Sequence, residues 1–398
     1  MIYNFDVLPD RRSTESMKWN RFPEDVLPMW VADMDFVSPE PVIRALQERI
    51  AHGVFGYPGD PPGLREAIIG YLSDSYGWQV KPEDIVFLPG VVTGFNLAAQ
   101  AFTGPGGGVL IQTPVYMPFL GVARNAGGTL QEMELTRQPD GRYTVDWDAF
   151  ENAFTDQTRM FLLCNPHNPV GRVYTRPELE TMAEICLRRG ALICSDEIHC
   201  DLVYPGHPHL PIAALSPEVA QRTITLMAPS KTFNIAGLSC SFAVIQNAEL
   251  RSQFSKSGKG LVHGTNLLGL VAAQAAYQEG WDWLEQLLAY LDGNRKLLYQ
   301  YVNDQLPGVR MALPEGTYLA WLDCRGAGIN GRPYDFFLEN ARVAVGDGAA
   351  FGRGGEGFVR LNFGCPRPML IEALERMRKS LEEFSGAAVQ AAPQIGRQ

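Results

Sequence analysis

The chain has no Cys-x-x-Cys pair, no cluster of histidine and cysteine at metal-ligand spacing, and no apolar run near the ~20 residues that span a bilayer. The first two absences argue against a redox motif and a structural zinc site, and no metal is expected. The third leaves no membrane-spanning helix to expect. Cysteine is also odd in number, seven in all, at 164, 186, 194, 200, 240, 324 and 365. Several sit inside apolar runs such as Ile193-Cys194, so they read as buried free thiols of a reducing compartment, and the cytoplasm is the expected location. Positive charge is in short supply, with 34 Lys and Arg against 44 Asp and Glu, a net −10. Such a chain is a poor general partner for nucleic acid or anionic membrane, although local basic sites for small anions remain open. Residues 1–6 turn acidic, and Arg11-Arg12 is followed by no apolar core. No signal peptide is expected, and the twin arginine reads as surface charge. No period of 20–50 residues recurs, which excludes a solenoid. The 46% hydrophobic and 20% charged composition excludes disorder and collagen.

At ~150 residues per domain, 398 residues suggest two or three domains. Residues 1–38 are proline-rich and irregular. Ser38-Pro39-Glu40 then reads as a capped helix start, with Val42, Ile43, Leu46 and Ile50 at helical spacing. A second helix runs from about Leu64 to Tyr76. Runs rich in β-branched residues follow at Asp84–Leu88, Val109–Thr113, Thr129–Leu135, Arg159–Cys164, Ala191–Ser195, Thr223–Ala228 and Phe242–Gln246. Several are apolar throughout, as parallel strands covered on both faces are. Helical patterns separate many of them, including Thr175–Arg189, so the expected fold is a doubly wound α/β sheet. A long helical stretch from Leu267 to Leu306 breaks near Gly280. Shorter elements at Tyr318–Asp323, Tyr334–Ala341, Phe358–Phe363 and Met369–Phe384 suggest a smaller α+β domain. The expected division is an N-terminal segment 1–47 packing with the small domain, a large domain 48–282, a small domain 283–385 and a flexible tail 386–398.

Two glycine clusters, Gly104–Gly108 and Gly352–Gly357, precede strands. A dinucleotide site needs its glycines between a strand and a helix, so both read as turns. Pro89–Asn96 follows a strand and opens a helix. It is either an ordinary turn or a place where free N–H groups and the helix dipole hold a phosphate. Three further strand ends carry polar residues: Asn165-Pro166-His167-Asn168-Pro169, Ser195-Asp196-Glu197-Ile198-His199, and Ser230-Lys231-Thr232-Phe233-Asn234. Singly, Asn168 reads as a turn residue, Asp196 as a cap and Lys231 as a solvated lysine. Open sheets place ligands at the carboxyl ends of their strands, where these three would share one crevice.

Those motifs, with Arg360 in Arg360-Leu361-Asn362-Phe363, resemble the fold-type-I pyridoxal-phosphate enzymes of the class I and II aminotransferase superfamily from Trp30 to Phe384. More narrowly, Leu27–Phe36, Ser195–His199, Lys231–Leu238 and Pro314–Trp321 are similar to the cystathionine β-lyase group of bacterial C–S lyases. The resemblance implies a transferase-like α/β fold, a pyridoxal 5'-phosphate cofactor, an amino-acid substrate and a homodimer. It implies that Lys231 binds the cofactor covalently and later removes the Cα proton, and that Asp196 keeps the ring nitrogen protonated. Asn168 would donate to the phenolic oxygen, and His199 occupies a position where the wider superfamily often has Tyr. Tyr116 would stack on the ring, unless it is a core tyrosine. The phosphate would be held by Val92, Thr93, Ser230 and, from a neighbouring subunit, Tyr57. The substrate would meet Arg360, Asn168 and Tyr57, with Arg360 gripping the carboxylate unless it is a surface arginine of a strand. Ser239 stands where many aminotransferases have a phosphate-pairing Arg, as in the lyase group.

The implied reaction is elimination of a thiol from L-cystathionine or a related cysteine S-conjugate. The alternative is transamination, which shares these residues up to loss of the Cα proton. A non-catalytic regulator would carry an added DNA-binding region, and residues 1–38 are too short and too proline-rich for one.

Overall fold

The computed structural model describes residues 1–59 and 61–391. Its centre is a seven-stranded sheet. The strands are β1 (Ile85–Leu88), β2 (Gly108–Thr113), β3 (Thr129–Glu134), β4 (Thr158–Cys164), β5 (Leu192–Asp196), β6 (Thr223–Met227) and β7 (Ser241–Val244). Their order is β1-β7-β6-β5-β4-β2-β3. All run parallel except β7, which is antiparallel to both neighbours. Each observed strand lies within two residues of its expected bounds.

Alternate side chains explain why the sheet is covered twice. Val109, Ile111, Met160 and Leu162 pack to one face with Phe95 and Phe119. Leu110, Phe161, Leu163 and Ile193 pack to the other with Leu179, Met182 and Ile185. Full burial of each such side chain contributes ~1.5–3 kcal/mol, which holds helices on both faces. The expected doubly wound α/β architecture is therefore present.

Helix α1 (Glu40–Ala51) and α2 (Pro62–Tyr76) precede the sheet, α3 (Val91–Phe102) follows β1, and α4 (Arg176–Arg188) follows β4. Thr175 and Glu178 close a capping box on α4. Gly94 lets α3 lie close on the sheet, since a Cβ there would stand 2.7 Å from Leu226 Cδ2. After the sheet come α5 (Leu267–Glu279) and α6 (Trp281–Gln305), separated at Gly280 as expected. A second, antiparallel sheet follows, made of β8 (Leu319–Asp323), β9 (Gly346–Asp347) and β10 (Phe358–Asn362), with β10 in the middle. Helix α7 (Arg367–Ala391) closes the described chain.

Several local expectations need correction. Ser38 does not cap α1. Pro39 is the N-cap without a side-chain bond, and the Ser38 hydroxyl donates to the Asn234 carbonyl at 3.1 Å. The twin arginine is not free surface charge. Arg11 pairs with Asp33 at 2.5 Å and with buried Asp35 at 2.6 Å, while Arg12 donates to the carbonyls of Trp19, Glu24 and Val26. Residues 386–391, expected to be a flexible tail, continue α7. Residues 392–398 of that tail lie outside the described residues. Both glycine clusters form turns, and all seven cysteines are free and buried. Among the described residues, no helix is long and apolar enough to cross a membrane, and no group of side chains could hold a metal ion.

Asp35 anchors the irregular N-terminal segment. Its fully buried carboxylate accepts from Lys18 Nζ at 2.6 Å, from Trp19 Nε1 at 2.8 Å and from Arg11. Asn362 on β10 donates to the carbonyls of Val31 and Asp33, and Asn234 donates to those of Met34 and Phe36. Residues 29–36 are thereby strapped between the two sheets.

Candidate active site

A cavity of about 710 Å³ opens at the carboxyl edge of the central sheet. Asn168 follows the end of β4, Asp196 ends β5, and Ser230 and Lys231 follow β6. Because β4, β5 and β6 are neighbours in register, with Cys164 beside Asp196 and Asp196 beside Leu226, these groups meet at one edge. Tyr116 comes from the loop after β2, and Val92 from the first turn of α3. Arg360 enters from β10 in the second sheet. Asn168, Asp196, His199, Tyr116, Val92, Ser230, Lys231 and Arg360 all line the cavity. Thr93 follows Val92 in the same turn of α3 without being part of the lining. The expected convergence of strand ends is met, and Arg360 is a buried arginine rather than a surface one.

Arg360 is 3% exposed and makes no ion pair with any described residue. Its Nη1 donates to Asn168 Oδ1 at 3.0 Å and its Nη2 to the Trp30 carbonyl at 2.8 Å, while Nε is buried without a partner. Its guanidinium lies 4.9 Å from the centre of the Phe351 ring. Burial lowers its pKa to about 10, so it is still charged at neutral pH. A buried cation without a counter-charge is costly, and a ligand carboxylate would relieve that cost.

Lys231 Nζ donates to the Ala32 carbonyl at 2.6 Å, which also accepts from the Tyr318 hydroxyl at 2.9 Å. Removal from water lowers the lysine pKa to about 8, with Arg360 adding to the effect against Asp33 and Asp196. Asp196 is raised to about 7, chiefly by burial, although the N–H of Ile198 donates to it at 3.2 Å. His199 is buried and neutral, lowered to about 3 by desolvation. Its ring stands edge-on to Tyr318 at 5.9 Å, and its Nδ1 has no partner. The Tyr116 hydroxyl is raised by burial and by nearby Asp196, so it stays protonated. A buried acid and a buried amine shifted in opposite directions within one cavity mark a site suited to proton transfer.

At the other end of the cavity, α3 begins at Gly90 with no side-chain cap, leaving its first N–H groups free. Ser230 and Ser239 also line the cavity. Ser239 has a left-handed backbone at φ 53°. Besides Thr93, Tyr57 is the predicted residue absent from the lining. It is fully exposed, in a loop with exposed Val54 and Phe55.

The chain matches the family model for aminotransferase class I and II over residues 24–377. It belongs to that family. Among its relatives, cystathionine beta-lyase PatB of Bacillus subtilis (strain 168) is 41% identical, across 95% of this chain and 100% of that protein. The solved structure of OvoB is 46% identical with TM-score 0.91, covering 95% of this chain and 99% of that one. Cystalysin from Treponema denticola, which contains a pyridoxal 5'-phosphate cofactor, is 33% identical with TM-score 0.92, covering 96% and 100%. The narrower resemblance to the C–S lyase group is therefore met within this aminotransferase family.

Sequence reasoning missed the backbone partners. The carbonyls of Trp30 and Ala32 hold Arg360 and Lys231, and Asn362 and Asn234 hold the strap that presents them. The run Leu27–Phe36 was the available signal, but a carbonyl acceptor leaves no mark on residue type.

Proposed function

We propose that the chain is a pyridoxal-phosphate-dependent carbon–sulfur β-lyase, which converts L-cystathionine or a related cysteine S-conjugate to a thiol, pyruvate and ammonia. The observation that carries this reading is one cavity joining a buried amine lowered to about 8, a buried carboxylate raised to about 7 and a buried arginine without a counter-ion.

The donor set suits the cofactor. Lys231 is the amine for covalent attachment. Asp196 is a buried carboxylate lining the cavity, which a protonated ring nitrogen would pair with. The Asn168 amide and Tyr116 border the space between them. The free N–H groups at the start of α3, at Val92 and Thr93, together with Ser230, suit a phosphate. When bound, pyridoxal phosphate supplies an electron sink for negative charge developing at the substrate Cα.

The chain's own groups do the rest. Arg360 holds the substrate carboxylate, its orientation set by Asn168 and the Trp30 carbonyl. The Lys231 amine, largely unprotonated above pH 8, takes the Cα proton at Nζ. The C–S bond then breaks, and both its electrons leave on sulfur as a thiolate. Buried His199 and protonated Tyr116 limit water around the reacting atoms.

The unit in solution is proposed to be a homodimer. Ile50, Val54, Phe55 and Tyr57 form an exposed, mostly apolar stretch, which a second copy would cover while bringing Tyr57 to its neighbour's phosphate. The buried free thiols support a cytoplasmic location.

The test is pyruvate release from L-cystathionine with no keto acid present. Sustained release over many turnovers is expected. A single stoichiometric burst, restored to steady turnover by a keto acid, would decide for an aminotransferase.

A further inference from the structure

The catalytic groups fill only the inner part of the cavity. Its outer part is lined by side chains that have no role in the chemistry above. Met17, Phe22 and Trp30 come from the N-terminal segment, Met117 from the loop after β2, and Tyr334 from the region between β8 and β9. Phe22 and Trp30 meet edge to face at 5.9 Å, and Trp30 Nε1 is tied to the Lys18 carbonyl at 3.2 Å. One wall is therefore aromatic and fixed. In the same lining, Met17 and Met117 are exposed at 64% and 41%. Large apolar side chains left exposed beside an aromatic wall mark a binding surface, and methionine adapts its shape to a guest. This surface continues into the space where Arg360 and Lys231 would fix the carboxylate and Cα of a substrate. The remaining direction out of that space belongs to the group on the substrate sulfur.

We propose that this outer lobe is the specificity subsite for the sulfur substituent, and that it selects a bulky apolar group such as a benzyl over a small alkyl or a charged one. The inference rests on the β-lyase reading and names its substrate class. Only two charged side chains, Arg21 and Asp347, join the outer lining. Asp347 is already engaged with Arg332 at 3.1 Å, while Arg21 is exposed and has no partner among the described residues. Arg21 is accordingly the group through which a charged substituent would be read.

The experiment compares kcat/KM of the holoenzyme for S-benzyl-L-cysteine, S-methyl-L-cysteine and L-cystathionine, in the wild type and in Phe22→Ala, Phe22→Leu, Met117→Ala and Arg21→Ala. The benzyl substrate is expected to lead. Phe22→Ala and Met117→Ala should each lower it by about tenfold while S-methyl-L-cysteine stays within about twofold. Phe22→Leu should recover most of the loss. Reading each variant as a ratio of two substrates removes differences in thiol leaving ability. Equal losses for both substrates would reduce Phe22 to a packing role and overturn the inference. So would a preference for L-cystathionine that vanishes in Arg21→Ala. The rapid change in cofactor absorbance gives dissociation constants for the benzyl and methyl substrates. The same Phe22 ratio in those constants, without pyruvate release, would sustain the subsite while the lyase reading failed.

Discussion

Arg360 Nη1 and Asn168 Oδ1 are 3.0 Å apart, although 192 residues separate them in the chain. One belongs to β10 of the second sheet and the other follows β4 of the first. This bond fixes the guanidinium in the cavity without neutralising it.

The first prediction follows from that geometry. In Arg360→Lys, a compact ammonium cannot reproduce the planar two-bond grip on a carboxylate. Losing one charge-assisted hydrogen bond should cost ~1.5–3 kcal/mol, about 10- to 150-fold in kcat/KM. The cofactor absorbance should stay unchanged. A variant that no longer holds pyridoxal phosphate would reassign Arg360 to the fold or the phosphate.

Lys231 should be the point of cofactor attachment. Borohydride reduction and peptide mapping should find the pyridoxyl group there, and label at another lysine would remove the assignment. The rate of attachment to cofactor-free protein should rise with pH around a midpoint near 8. The sign follows from burial, which disfavours the ammonium and frees the amine at lower pH than an exposed lysine. A midpoint near 10.5, the ordinary lysine value, would mean that the amine is not desolvated in solution.

Asp196→Asn removes a buried carboxylate that lines the cavity with Lys231. Cofactor should still bind, because Lys231 and the phosphate contacts remain. Turnover should fall by the ~3–4 kcal/mol typical of losing a charge-stabilising group, about 10²–10³-fold. Near wild-type turnover would exclude Asp196 from holding the ring proton.

Asp35→Asn tests the anchor of the strap. It leaves Lys18, 2% exposed, without the charge of its carboxylate partner. Breaking a buried ion pair from one side costs ~3–5 kcal/mol. The urea midpoint should drop accordingly, and a change below ~1 kcal/mol would show the cluster to be hydrated in solution.

The parallel strands were legible because complete burial writes itself as unbroken apolar runs such as Met160–Cys164. The residues that line the cavity were legible because polar side chains at strand ends stand out against those runs. Arg11 was not, since its partners Asp33 and Asp35 approach only through tertiary packing. Ser38 has the residue type of a cap, yet its hydroxyl had a better acceptor 196 residues away at Asn234. The small and polar composition after Phe384 read as a tail, but helix α7 runs on to Ala391. Tyr57 has no partner among the described residues, and its role was legible only through the family resemblance.

The strap at residues 29–36 is joined to Arg360 and Asn362, which are made some 330 residues after it. The central sheet is finished once Val244 has been made, but the cavity still lacks the strand that carries Arg360 at that stage. Contacts across 330 residues close late, because the intervening chain must be ordered first. A ribosome-bound or prematurely terminated chain would thus hold a complete lysine turn and no means of seating an amino acid beside it. Lys231 is set in place well before the strand that carries Arg360 exists, and closure of the strap onto that strand completes the cavity.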